Sequence, residues 1–233
     1  MAAAGDLHCR EMDHGRFRQF VKQVNDEADL LLLCGDLTDH GTVAEAKVLV
    51  EELSALRVPT VAVFGNHDYE TGHDREICAE LHKVNVRCLD GESWVFEKVL
   101  GISGVKGFGG GFGRATLQAF GESCTKHFVQ EAVNEGLKLE ATLGRMDAPK
   151  RIVIMHYSPI SATVQGENPE ILAFLGSSRL MRPIDDYGAD AVFHGHAHHG
   201  SLEGKTDGGV TVYNVAMPLL QRQTDKRFRL IEI

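Results

Sequence analysis

The strongest constraint on this chain is a set of short apolar runs, each ending at a glycine or a polar donor. They are "DLLLLCG" (Asp29 to Gly35), "TVAVFG" (Thr60 to Gly65), "RIVIMH" (Arg151 to His156) and "ADAVFHG" (Ala189 to Gly195). Runs of this length that are apolar throughout, rather than alternating, read as strands buried on both faces. A weaker run, "AAAG" from Ala2 to Gly5, predicts a short first strand. Helical periodicity lies between the runs, in the polar amphipathic stretch from Met12 to Asn25 and in "VAEAKVLVEELSAL" from Val43 to Leu56. Strand alternating with helix predicts an α/β protein built on a doubly wound, largely parallel sheet.

The second half is less regular. Short strands at Val84 to Leu89, Trp94 to Lys98 and Leu100 to Ser103 predict a meander, and a long helix is expected from Cys124 to Leu143. "GVTVYNVA" (Gly209 to Ala216) and "RFRLIEI" (Arg227 to Ile233) complete the strands. Two packed sheets flanked by helices would use all of them. No repeat or low-complexity linker interrupts the 233 residues, so one domain, 1–233, is expected.

Composition narrows the class. A net charge of −9 argues against an extended nucleic-acid surface, which would be basic. No charged segment leads into an apolar leader, and no apolar stretch reaches the about 18 residues of a membrane span, so no membrane partner is expected. The five cysteines (Cys9, Cys34, Cys78, Cys88 and Cys124) are odd in number and lack a C-x-x-C pair. That suits reduced thiols in a cytoplasm better than a disulfide framework or a cysteine-based zinc knuckle.

The chemistry gathers where the strands end. "GDLH" carries Asp6 and His8, "GDLTD" carries Asp36 and Asp39, and "GNHD" carries Asn66, His67 and Asp68. His156 follows "RIVIM", and "HGHAHH" carries His194, His196, His198 and His199. Ligands of open α/β sheets bind beyond the carboxyl ends of strands, so these loops should converge on one crevice. In extended chain residues i and i+2 point to one side, which would pair Asp6 with His8 and His196 with His198. Gly5, Gly35, Gly65 and Gly195 each precede a donor or a donor loop and would allow tight turns and close backbone approach. Carboxylate, amide and imidazole donors without thiolate suit borderline divalent ions rather than calcium. Seven such donors exceed one tetrahedral shell and suit two ions sharing a ligand.

The ordered set D-x-H, GD-x-x-D, GNHD, a lone histidine after a strand, and GH-x-H resembles the calcineurin-like metallophosphoesterase family, over Asp6 to His198. The resemblance implies a four-layer α/β/β/α sandwich with two mixed β-sheets. It implies that Asp6, His8, Asp36 and His198 hold one ion, with Asp36 bridging to a second ion held by Asn66, His156 and His196. The cofactors it implies are two divalent metal ions, manganese first, with iron, zinc, nickel or cobalt as alternatives. His67 would be the general acid, and Asp39 would orient it. This sequence departs from the family pattern in its abbreviated first strand, with only Met1 to Gly5 ahead of Asp6.

Two ions bring +4, Asp6 and Asp36 remove 2 and a bridging hydroxide removes 1, leaving about +1 in an acidic protein, a site for a phosphate ester. The expected activity is hydrolysis of a small phosphodiester such as a cyclic nucleotide, by in-line attack of that hydroxide. The preference over a phosphomonoester rests on the lack of an evident Arg/Lys cluster in the sequence. Phosphomonoesterase, nuclease and non-catalytic scaffold are the competing readings. "GVKGFGGGFGR" (Gly104 to Arg114) lacks both the P-loop and the dinucleotide fingerprints. It reads either as a flexible turn or as a loop over the crevice, with Phe112 against an apolar part of the substrate and Arg114 near a phosphate. His194 is expected to be structural, His199 to lie behind the ligands, and Asp68 to accept hydrogen bonds in a turn.

Overall fold

A computed structural model describes residues 1–233. The amino-terminal part runs β1 (Ala2–Ala4), α1 (Arg18–Glu27), β2 (Leu31–Cys34), α2 (Val43–Leu53), β3 (Thr60–Val63), α3 (Asp74–His82) and β4 (Val86–Cys88). The chain continues with β5 (Glu92–Phe96), β6 (Leu100–Gly104), α4 (Ser123–Arg145), β7 (Lys150–Ile154), α5 (Leu172–Leu175) and α6 (Ser178–Tyr187). It ends with β8 (Ala191–His194), β9 (Glu203–Lys205), β10 (Thr211–Asn214), α7 (Met217–Thr224) and β11 (Arg229–Leu230).

Two mixed sheets result, ordered β11-β1-β2-β3-β4 and β5-β6-β7-β8-β10-β9. Strands β1 to β4 are parallel neighbours, and β11 pairs antiparallel with β1. In the second sheet β6, β7, β8 and β10 are parallel, with antiparallel β5 and β9 at the edges. The apolar runs bury both faces by strict alternation. Leu31 and Leu33 face α1, α2 and α3 with Phe20, Val24, Leu49 and Ile77. Leu32 and Cys34 face the other sheet, against Ile152, Ile154 and Phe193. Val153, Met155 and Val192 then face Leu139, Leu143 and Leu180 of α4 and α6. The layers are therefore α/β/β/α, the sandwich expected from the motifs.

Three local expectations change. β4 does not join a meander; it adds parallel to β3, and only β5 and β6 form an antiparallel hairpin. The crossover that permits this is α3, an amphipathic helix whose Ile77 and Leu81 are buried. Helix α1 starts at Arg18, because Glu11 to Phe17 is a run of turns in which Glu52 accepts the N–H groups of Gly15 and Phe17. The last strand shrinks to Arg229–Leu230, which pair with Ala3 and Ala2 of short β1. Helix α2 begins as its sequence suggests, with a reciprocal Thr42–Glu45 capping box.

Ile154 is fully buried between the sheets at the strand end that leads to His156. Ile154→Ala should destabilise the protein by about 2–5 kcal/mol, read as a lower urea midpoint at unchanged m value.

Candidate metal centre

The carboxyl ends of β1, β2 and β3 meet those of β7 and β8 along one seam, and the seam is stitched by hydrogen bonds. Gly5 N–H donates to Val215 O at 2.9 Å, and Met217 N–H donates to Gly5 O at 2.9 Å. His156 Nδ1 lies 2.9 Å from Cys34 O, joining the second sheet to the first. The N–H of His196 lies 3.0 Å from both oxygens of Asp6.

Asp36 stands at the middle. Its Oδ1 accepts from His67 N–H at 2.9 Å, and its Oδ2 lies 3.3 Å from His156 Nε2 and 3.9 Å from both His8 Nε2 and His67 Nε2. Donor atoms gather in two groups, Asp6 with His8 and His198, and Asp36 with His156 and His196, and a third group, His8, Asp36 and His67, overlaps both. Asn66 Oδ1 lies 3.1 Å from His156 Nε2. All seven expected donors thus sit together.

The local conformation differs from the extended i, i+2 geometry. Asp6, His8, Asp36 and His196 all have positive φ, 57°, 45°, 49° and 67°. Such left-handed non-glycine residues are uncommon and cost about 1–3 kcal/mol where strained, so they persist only where surroundings enforce them. The glycines serve mainly as space. A Cβ at Gly65 would overlap Asp36 and His156, and one at Gly195 would overlap Asp6. Only Gly35, at φ +83°, also needs the left-handed region. Asp68, fully buried, accepts from the N–H groups of Leu37, Thr38 and Gly65 and from the Thr38 hydroxyl. It clamps the Asp36 loop to the Asn66 loop.

Electrostatics favour a cation here. Asp6 and Asp36 are each 2% exposed. Burial alone would raise the Asp36 carboxyl, but the charge and hydrogen bond of His156, with His67, hold it well below the usual range. Burial likewise opposes Asp6, which His198 and His156 keep low. Burial pushes His156 down, yet Asp36 and Asp6 carry it up to about 9, while burial and His156 push His196 down to about 4. Both ring nitrogens of His8 are buried without a hydrogen-bond partner. The Nε2 of the pair, 3.9 Å from buried Asp36 Oδ2, fits a divalent ion, which would satisfy it directly.

Asp39 behaves differently from expectation. His67 Nδ1 faces the Asp39 backbone oxygen at 2.5 Å, not its carboxylate. The carboxylate instead lies 3.2 Å from His8 Nδ1 and accepts from Arg10 Nε at 2.7 Å. His8, the first expected ligand histidine, therefore has the carboxylate behind it instead of His67.

Arg10 is a residue the sequence reading missed; its signal was the continued i+2 step in D-x-H-x-R. Arg16 and Arg222 also reach the site, donating to the backbone oxygens of His8 and His198 at 3.0 and 2.8 Å. Arginines that form no cluster in the sequence thus each contact a residue or loop of the site.

His194 is buried between Thr163 Oγ1 (2.8 Å) and Gly195 O (2.7 Å), a structural role as expected. The His199 ring is exposed, and only its N–H is held, by Glu167. The Gly104 to Arg114 stretch is pinned rather than loose: Gly107 N–H donates to buried Glu135, and Gly110 and Gly111 donate to Ala173 O and Gly176 O. Phe112 packs against the small cluster containing Ala197, between His196 and His198. Beside it a cavity of about 510 Å³ is lined by Phe112, Leu172, Ala173 and Lys205. Arg114 is exposed and makes no ion pair.

The His156 charge has a sign that can be tested. Its folded pKa of about 9 exceeds the ordinary 6.5, so in metal-free protein its pairing stabilises fully below pH 6.5 and is lost as pH rises through 9. Thermal melts in chelator should show Tm falling across that window, and His156→Gln should flatten the fall.

Known proteins share this arrangement of strands and loops. The profile of the family described as calcineurin-like phosphoesterase matches residues 1–200. A probable cyclic nucleotide phosphodiesterase of Ruthia magnifica subsp. Calyptogena magnifica is 23% identical over 216 residues, spanning 88% of this chain and 76% of that protein. The phosphopantetheinyl hydrolase of Mycobacterium tuberculosis superposes with a TM-score of 0.68 at 16% identity, over 99% of this chain and 94% of that one. The TT1561 protein of Thermus thermophilus superposes with a TM-score of 0.56 at 17% identity, over 94% and 89%.

Proposed function

This chain belongs to the calcineurin-like phosphoesterase family and is a metal-dependent phosphoester hydrolase; from that premise we propose that it cleaves a small phosphodiester, a cyclic nucleotide being the leading class. The observation that carries the reading is Asp36, a buried carboxylate within 3.9 Å of His8, His67 and His156 and so able to serve two ions. Asp6, His8, Asp36 and His198 would hold one, and Asp36, Asn66, His156 and His196 the other. Manganese is the first choice, with iron, zinc, nickel or cobalt as alternatives. Such ions supply Lewis acidity toward phosphoryl oxygens and make water a nucleophile near neutral pH.

The remaining steps belong to side chains. His67 has Nδ1 fixed by Asp39 O, which leaves Nε2 directed toward the Asp36 side of the site, 3.9 Å from Oδ2. We assign to it the proton given to the departing alkoxide. Asp39 acts through its carbonyl on His67 and through its carboxylate on His8 and Arg10. The cavity beside Phe112 suits the apolar part of the ester, a nucleobase for example. Arg10, though also exposed, is held at the site by Asp39 and is better placed than Arg114, which makes no ion pair, to meet a phosphate oxygen.

That arginine would also serve a dianionic monoester, which makes phosphomonoesterase the second reading. Donors from both sheets supply one centre, which supports treating 1–233 as a single working unit. No helix is long and apolar enough to cross a membrane, and all five cysteines are free, which suits a reducing cytoplasm.

Asp36→Asn should lower the metal content measured by elemental analysis by about two ions per chain. With metal present, cyclic nucleotides should outpace dinucleotides and monophosphates; monophosphates running fastest would replace the diester reading with the monoester one. His67→Ala should slow esters with poor leaving groups by about 10²–10⁴-fold and activated aryl esters far less. Equal losses on both would remove His67 from the acid role.

A further inference from the structure

A second group of soft donors lies apart from the Asp36 centre and shares none of its residues. Cys78 and His82 stand four apart on α3, on one face of the helix. The chain then turns through Lys83 to Asn85, with Asn85 at φ 59°, and returns as edge strand β4, which ends at Cys88. One donor atom from each of Cys78, His82 and Cys88 lies within 4.8 Å of the others.

We propose that Cys78, His82 and Cys88 form a second metal site that takes one zinc-class cation through two thiolates and an imidazole. The spacing fits. With Zn–S of about 2.3 Å and Zn–N of about 2.0–2.1 Å, a tetrahedral S–Zn–N edge is about 3.5–3.6 Å. Cys78 Sγ and His82 Nε2 are 3.5 Å apart. The donor set includes thiolates where the Asp36 centre offers only carboxylate, amide and imidazole, so the two sites would select different ions.

The surroundings also favour positive charge. The charged side chains acting on the sulfurs are carboxylates, Glu92 on both, Asp74 on Cys78 and Asp68 on Cys88. The Cys88 thiol, hydrogen-bonded to Cys78, lowers the latter to about 7, while that bond and burial raise Cys88. A bound cation would drive the protons of both thiols into solvent. His82 is exposed, so the ion has an entry path, and a water can complete its shell. The site would clip α3, the helix that follows the His67 turn, to the edge of the first sheet. The C-x₃-H-x₅-C spacing that carries it is not a C-x-x-C pattern, which is why the sequence reading passed over it.

The test uses protein loaded with Mn²⁺, whose centre contains no thiol, and titrates in Co²⁺. A thiolate-to-cobalt charge-transfer band should saturate at one equivalent. Cys78→Ser and Cys88→Ser should each abolish it, and Cys124→Ser should leave it intact. Replacing an outer partner of a ligand already costs about 10–100-fold in affinity, so His82→Ala should weaken binding by at least about tenfold. In unaltered protein, one equivalent of Zn²⁺ should slow thiol labelling of Cys78 and Cys88 specifically. Absence of the band, its survival in either serine variant, or unchanged labelling would overturn the proposal. So would a Cys78–Cys88 disulfide in the protein as purified.

Discussion

Two carboxylates, Asp6 and Asp36, are buried almost completely at a seam between sheets, and each raises the cost of charge on the other. Burying like charges is tolerable only with compensating positive charge close by. Here the compensation comes across the seam, from His156 to Asp36 and from His198 to Asp6. The sandwich holds its halves together through a set of polar contacts that a cation would complete. That arrangement would tie stability and metal affinity to the same few atoms.

The surrounding architecture can be understood as support for that seam. Apolar strands bring the polar loops to one edge because their side chains alternate between two apolar cores. Glycines at the strand ends remove the Cβ atoms that would fill the space of Asp36, Asp6 and His156. Left-handed turns at Asp6, His8, Asp36 and His196 re-aim donors that an extended chain would send elsewhere. Asp68, with its four hydrogen bonds, locks two of those loops together from behind. Strain at the ligands and order behind them belong to one design.

Function follows from what this frame leaves available. His67 is fixed at one nitrogen by a backbone carbonyl, and its other nitrogen lies near the Asp36 carboxylate. Arg10 and Arg16 lie around the Asp6 to His8 loop, supplying charge that the overall balance of −9 conceals. The soft donors at Cys78, His82 and Cys88 sit on a different element pair, with chemistry the main centre does not use.

The layered α/β character and the candidate donors that fold together were legible in the chain alone, because buried strands and polar side chains at their ends leave one-dimensional signatures. "DLLLLCG" can hardly be anything but a doubly buried strand, and five donor motifs in order have no common bland cause. Folding in three dimensions settled that β4 joins the first sheet, that Asp39 turns its carboxylate to His8 and that Arg10 reaches the site. It also brought Cys88 beside Cys78 and His82. Each of these depends on strand neighbours or on side-chain direction across elements. Periodicity along the chain encodes which face is buried, and it carries no record of what lies opposite.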